Sequence, residues 1–253
     1  MAGRAHKAGG SVRIGLSGWS YPAWKDSFYA GIRRADWLAY AASRFPTLEV
    51  NATFYRGQRE KTFRRWHDGT PDDFLFSIKG HRVVTHRLRL KDAGESVILQ
   101  RDNAKPLGAK LGCVLWQLPA SVRADAARLA GFLRVLKQWP GPAHVMEFRD
   151  ASWFTDETAD MLEGTDVANC VSHAADWDMW DRAAGPLAYV RLHGAPRTYA
   201  SAYGPRKLAE WANRIERWRA EGRDVFVYFD NDAEGAAFRD AARLMEMVPG
   251  AGP

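Results

Sequence analysis

Leu187-Ala188-Tyr189-Val190-Arg191-Leu192-His193-Gly194, then the segment KLAEWANRIERWRA at 207–220, then Val225-Phe226-Val227-Tyr228-Phe229-Asp230-Asn231: this stretch decides the fold. The outer two segments are strand-length, rich in Val, Phe and Tyr, and end in Gly or Asn. The middle segment repeats Leu208, Trp211, Ile215 and Trp218 at three-or-four spacing, the signature of an amphipathic helix. Two strands joined through a helix run parallel, because parallel neighbours need a crossover. The same alternation continues outward. Apolar runs at 12–19, 48–55, 74–80, 111–118, 144–149 and 167–173 bring the number of expected strands to eight. Helical patterns fall at 35–45, 124–138, 155–163 and 234–248, while 174–185 is tryptophan-bearing and gives no clean helix.

Eight such units in 253 residues fit one closed α/β barrel of the TIM type, a parallel eight-stranded (β/α)₈ domain over residues 12–253. Residues 1–11 are basic and Gly-rich and read as a flexible tail. The first strand ends in Gly15-Leu16-Ser17-Gly18-Trp19-Ser20, with bulky residues where a dinucleotide-binding turn requires Gly. No Walker loop, HExxH or GxSxG is present.

No apolar run approaches the roughly 18–20 residues that span a bilayer, so no membrane helix is expected. Cys113 and Cys170 sit inside apolar runs without a CxxC neighbour, which reads as buried thiols in a reducing cytoplasm. The net charge of +6 permits attraction to polyanions, although the basic residues look dispersed along helices.

Parallel strands covered on both faces are normally unbroken apolar runs, so polar residues inside them need a reason. Here they interrupt the C-terminal halves. With a side-chain period of two, Glu49 and Asn51 point one way, as do Glu147 with Arg149 and Arg191 with His193. Their alternates Val50, Phe148 and Leu192 are apolar and face the helices, which turns the polar set toward the barrel axis. Lys79, Gln117 and the run Asp230-Asn231-Asp232 add to it. Barrel enzymes build their sites at this end; the alternative is an interlocked salt-bridge layer that plugs the barrel.

Gly18-Trp19-Ser20-Tyr21 with Trp24, Glu49-Val50-Asn51-Ala52-Thr53-Phe54-Tyr55, Phe76-Ser77-Ile78-Lys79, Thr85-His86 and Gln117-Leu118-Pro119 form a spaced set of motifs. Glu147-Phe148-Arg149 with Ser152-Trp153, Arg191-Leu192-His193-Gly194 and Tyr228-Phe229-Asp230-Asn231-Asp232 complete it. From about Val12 to Val248 the chain resembles the YecE-like family, whose domain is of unknown function. The resemblance implies a TIM-type barrel and supplies no substrate. Asp230 stands where the family pattern leads us to expect an amide, adding a carboxylate near the pocket.

As chemistry, Lys79, Arg149 and Arg191 suit an anionic or polyhydroxylated ligand. Glu147 or Glu49 would act as general base, and His193 as proton donor or shuttle. Glu147 could instead simply pair with Arg191 or Lys79. Asn51, Gln117 and Asn231 offer amides, Tyr21 and Tyr55 hydroxyls, Trp19 and Trp24 flat walls, and Asp232 a carboxylate at the mouth. His86, beyond the third strand, reads as a hydrogen-bonding prop, and Trp153 as a packing anchor. No metal or cofactor is expected. The lesser alternative is a divalent ion on Glu49, Glu147, His193 and Asp232, which the interleaved Lys and Arg would repel. The expectation is an enzyme of hydrolase, lyase or isomerase type acting on a small anionic or sugar-like molecule. The alternatives are a nucleic-acid-binding or nucleic-acid-processing protein and a ligand-binding barrel without turnover.

Overall fold

A computed structural model describes residues 9–253. In chain order it runs β1 (Val12–Ser17), α1 (Trp37–Ala42), β2 (Thr47–Val50), α2 (Ala52–Tyr55), α3 (Glu60–Asp68), β3 (Leu75–Lys79), α4 (Gly94–Ala104) and β4 (Leu111–Gln117). It continues with α5 (Ala126–Leu136), β5 (Ala143–Glu147), α6 (Asp156–Glu163), β6 (Val167–His173), β7 (Leu187–Leu192), α7 (Pro205–Ala220), β8 (Asp224–Phe229) and α8 (Ala236–Met247). Every strand is parallel to the next, and β8 pairs with β1 from Val12↔Val225 to Leu16↔Phe229, closing the barrel. Each apolar run read from the sequence holds one strand.

The strand period sorts the core into two shells. Inward residues Cys113, Leu115, Val145, Ala168, Cys170, Tyr189, Phe226 and Tyr228 fill the lower barrel. Their alternates, among them Ile14, Leu48, Ile78, Val114, Met146, Val171, Val190 and Val227, form the shell under the helices. The Tyr228 hydroxyl is satisfied inside the barrel by Thr47 Oγ1 and Ser77 Oγ, each at 2.7 Å. Both cysteines are buried and unpaired, as two inward thiols of this interior. Burial pushes the Cys113 thiol up to about 12.

Helix starts follow local chemistry. The Asp125 side chain accepts from Arg128 N at 2.9 Å to cap α5, and Thr155 accepts from Thr158 N at 3.1 Å to cap α6. Pro205 opens α7 two residues before the sequence pattern starts, since proline suits a first helical turn.

Three features differ from the sequence reading. The run 48–55 leaves β2 at Val50 and turns into α2, pinned where Thr53 Oγ1 donates to Lys79 O at 2.7 Å. Two further helices, α3 and α4, were not anticipated: α3 has a short stripe of two rings and α4 has none. In α3 only Phe63 and Trp66 are buried among seven polar neighbours, and in α4 the buried positions are Val97, Gln100 and Ala104. Of the tail expected over 1–11, residues 1–8 lie outside the described residues. Gly10 N donates to Arg219 O at 3.0 Å and Ser11 N to Asp224 Oδ1 at 2.7 Å. Arg219 also donates to Gly10 O (3.0 Å) and to Pro249 O (2.9 Å), so both ends of the described chain meet at one guanidinium below the barrel. Among the described residues no helix is long and apolar enough to cross a membrane.

Candidate active site at the C-terminal end of the barrel

At the C-terminal end the inward position of every strand is polar. Ser17 of β1, Glu49 of β2, Lys79 of β3, Gln117 of β4, Glu147 of β5, Ser172 of β6, Arg191 of β7 and Asp230, just past β8, make one layer. They continue the inward parity of the apolar shell below. Each follows by two an inward residue such as Ser77, Leu115, Val145, Cys170, Tyr189 or Tyr228.

Arg191 is the hub, and it is almost fully buried. Its Nε donates to both Glu49 oxygens at 3.1 Å, and Nη2 to Glu49 Oε1 at 2.9 Å and to Asp230 Oδ2 at 2.8 Å. Its Nη1 donates to Glu147 Oε2 at 3.1 Å and to His193 Nε2 at 3.2 Å. Glu49 is completed by Tyr189 Oη at 2.7 Å and Ser17 Oγ, and Asn51 Nδ2 reaches Ser17 Oγ at 2.8 Å. Glu147 is held on its other oxygen by Arg149 at 2.5 Å, whose guanidinium lies 3.6 Å above the ring of Trp177. Trp177 in turn donates to Ser172 Oγ at 3.2 Å.

This packing sets the protonation states. Burial raises the Glu147 pKa, but Arg149 and Arg191 outweigh it and hold the carboxyl well below the usual carboxylate range. Burial likewise works against Asp230, and Arg191 and His193 bring it down to about 2. His193 is driven below its ordinary value by burial and by Arg191. Its Nε2 accepts from Arg191, so the proton of the neutral ring sits on Nδ1, 3.0 Å from Asp230 Oδ2. Every edge of the Arg191 guanidinium is therefore engaged, whereas His193 Nδ1 lies close to Asp230 without a well-formed hydrogen bond. The floor of the site is an interlocked ionic layer, of the kind the sequence reading set against an open pocket.

Lys79 belongs to the polar layer but takes no part in its ion pairs. It is 8 % exposed, and among the described residues its Nζ has no hydrogen bond or ion pair. The Phe54 ring lies 4.5 Å from Nζ. Burial, then repulsion from Arg191, brings its pKa down to about 8 against the pull of Glu147, Glu49 and Asp230. The strand end that carries it is fixed by Thr53 and by Gln100 Nε2, which donates to Lys79 O at 3.1 Å. Gly80 follows because a Cβ there would lie 2.1 Å from the Trp116 ring. His86 packs edge-on against Phe54 at 4.9 Å, inside a π-helical turn at Val83–Arg87, with Nδ1 2.9 Å from Thr85 Oγ1. Burial and Lys79 lower its pKa.

The remaining residues singled out in the sequence divide. Gln117 ends β4 half-buried, its amide making only a 3.4 Å contact to Leu118 O. Tyr21 donates to Ser17 O and its hydroxyl lies beside the Asp232 carboxylate. Trp19 packs edge-on against Trp66 on the wall, and the buried Trp24 donates to Asp232 O at 2.9 Å. Trp153 is buried under Phe148 and donates to Val122 O at 2.8 Å. Tyr55 stands outside the layer, 68 % exposed on α2. Asn231 also faces away, its Nδ2 donating to Asp240 Oδ2 and Ser201 O at 2.8 and 2.9 Å. Sequence reasoning missed Ser17, Ser172 and Tyr189, because hydroxyls inside apolar strands raise no alarm, and Trp177, because 174–185 offered no periodicity. The four residues of the metal alternative do not converge: Arg191 fills the space between Glu49 and Glu147. Among the described residues no three His, Cys, Asp or Glu side chains are placed to hold an ion.

Compared with known proteins, residues 13–252 match the family described as "Protein of unknown function DUF72". The UPF0759 protein YunF of Bacillus subtilis is 24% identical over 94% of this chain and 94% of its own length. The UPF0759 protein YecE of Escherichia coli is 31% identical over 44% of this chain and 38% of its own. Among solved structures, a DUF72 family protein of Thermotoga maritima superposes with a TM-score of 0.83 at 24% identity, covering 94% of this chain and 98% of that one. A DUF72 family protein of Enterococcus faecalis gives 0.81 at 16% identity, covering 94% and 95%.

Proposed function

The chain belongs to the DUF72 family of unknown function, and on that premise we propose that it is an enzyme acting by proton transfer on a small anionic or sugar-like molecule at the C-terminal end of the barrel. One observation carries the reading. Above a saturated ionic floor, the buried residue Lys79 carries an amine with no protein partner among the described residues. An unpaired buried cation costs stability, and such costs collect where chemistry is done. The floor fixes the field, and the ligand would meet the groups on its upper surface: Lys79, Arg149, Gln117, Asn51, His86 and Asp232. Glu147 and Glu49, pinned by arginine, serve as permanent anions that tune Lys79. His193 braces Arg191.

Thermal shift against a panel of small carboxylates, sugar phosphates and polyols tests this. The parent should be stabilised by at least one member, and Lys79→Met should lose most of that stabilisation. Equal stabilisation of parent and variant, or none across the panel, would overturn it.

A second reading has its own observation. Residues 56–91 hold ten Lys and Arg against four Asp and Glu, so this stretch equals the net charge of the whole chain. Apart from Lys79 these cations are exposed, and none has an ion pair among the described residues. With the exposed ring of Tyr55 they form a basic sector beside the mouth that suits a nucleic-acid strand. Binding of a single-stranded oligonucleotide should weaken steeply with salt; a flat response removes this reading.

A further inference from the structure

Among the described residues two lysines are buried, and their surroundings differ. Lys110 is spent on structure: its Nζ donates to His67 O at 2.7 Å, Thr70 O at 2.8 Å and Thr70 Oγ1 at 3.4 Å. Lys79 is no less held in its backbone, by Thr53 and Gln100, yet its amine is delivered to the barrel mouth with nothing to bind. A cation needed only for charge balance would be expected to sit against a carboxylate. Glu49, Glu147 and Asp230 are all ion-paired with Arg191, and Glu147 also with Arg149, while Lys79 feels them from a distance.

We propose that Lys79 is a nucleophile that forms an imine with the carbonyl carbon of a small aldehyde or ketone bearing an anionic or hydroxylated group. The proposal rests on the small-molecule reading of the mouth and names its substrate class. The neutral amine adds its lone pair to the carbonyl carbon, and the C=O π pair moves to oxygen, which takes a proton. Nitrogen loses a proton to the carbinolamine stage. The hydroxyl then takes up a proton and leaves as water as the nitrogen lone pair closes the C=N bond, giving the protonated imine, which becomes the neutral imine on giving that proton back. Amine plus carbonyl gives imine plus water, with no oxidant or reductant. Protonated, the adduct keeps the single positive charge of the ammonium, so Glu49, Glu147 and Asp230 stabilise both alike. It is then an electron sink for bond breaking at the neighbouring carbon.

Several surrounding groups shape the amine. Phe54 and burial strip water from it, and Arg191 opposes its protonation. Glu147, Glu49 and Asp230 favour protonation, and His86 packs on the same Phe54 ring as the amine. With a pKa of about 8, about one tenth of the amine is free base at pH 7, against roughly one in three thousand for an ordinary lysine.

The test is reductive trapping. The full chain is incubated with pyridoxal 5′-phosphate or glyoxylate and sodium cyanoborohydride, and the adducts are located by peptide mass mapping. Lys79 should label at least about tenfold faster than exposed lysines such as Lys25 and Lys137, with a rate that rises through about pH 8. Lys79→Arg and Lys79→Met should both abolish the fast adduct. Pyridoxine 5′-phosphate, which has an alcohol in place of the aldehyde, separates the two readings by thermal shift. If it stabilises the parent but the aldehyde labels lysines indiscriminately, the imine fails and the small-molecule site stands. If neither compound binds and no selective adduct forms, both fail for this ligand chemistry.

Discussion

Removing Arg191 would leave Glu49 and Asp230 without a cation in the barrel, with Glu147 still held by Arg149, whereas removing Lys79 would strand no carboxylate. Arg191→Met should therefore lower the unfolding free energy by about 3–5 kcal/mol in a urea titration, the cost of leaving buried charges uncompensated. Lys79→Met replaces an unpaired amine with an apolar side chain of similar length and should leave stability within about 1 kcal/mol of the parent or above it. Lys79 also imposes its own pH dependence. In the folded chain it releases its proton near pH 8, while the unfolded chain holds it to the ordinary lysine value of 10.5. Between these limits the unfolded state binds more protons, so stability should rise with pH relative to Lys79→Met. Parallel pH profiles for parent and variant would show that the amine is not buried as described. At this scale the site was legible wherever a charge interrupted a strand, as with Glu49, Glu147 and Arg191. It was illegible where the contribution was a hydroxyl, as with Ser17 and Tyr189, or where the chain had already left the strand, as with Tyr55 and Asn231.

Elements position these side chains by ending early. Strand β2 stops at Val50 so that Thr53 can clasp β3, and β7 stops at Leu192, after which Gly194 takes φ 92. A side chain there would press within 2.8 Å of Ser201 O, which is why glycine follows His193. The segment between β6 and β7 has no regular structure and is fastened through Trp177, stacked on Arg149 and bonded to Ser172. Trp177→Ala should speed amide exchange across 174–186 severalfold while leaving exchange in β5 and β7 unchanged. Unchanged exchange in the segment would mean that other contacts hold it. The strands and the helices α5, α7 and α8 could be read because their apolar positions repeat. Helix α3 was missed: its buried face is only two rings, Phe63 and Trp66, with Lys61, Arg64 and Arg65 gathered on the opposite face. The same basic surface gives this sector its charge, so the feature that hid the helix also marks the surface.

For the whole molecule, the buried anions govern acid stability. Asp230 titrates at about 2 when folded and near the ordinary 3.8 when unfolded. Glu147 is displaced in the same direction by its two arginines. Such carboxylates contribute stability above their unfolded values and lose it as pH falls through the folded ones. The parent should thus lose stability steeply from about pH 4 toward pH 2. Asp230→Asn should start lower, by about 1–3 kcal/mol at pH 7, and lose less over that interval. If the two acid limbs superimpose, the Asp230 bond to Arg191 carries no net energy.

Both ends of the described chain are tied to Arg219, at the foot of the barrel. An affinity handle attached after Pro253 would hang from the face opposite the polar opening. Protein anchored to a sensor chip through such a handle would present that opening to the flow, so a null result there could not be blamed on blocked access.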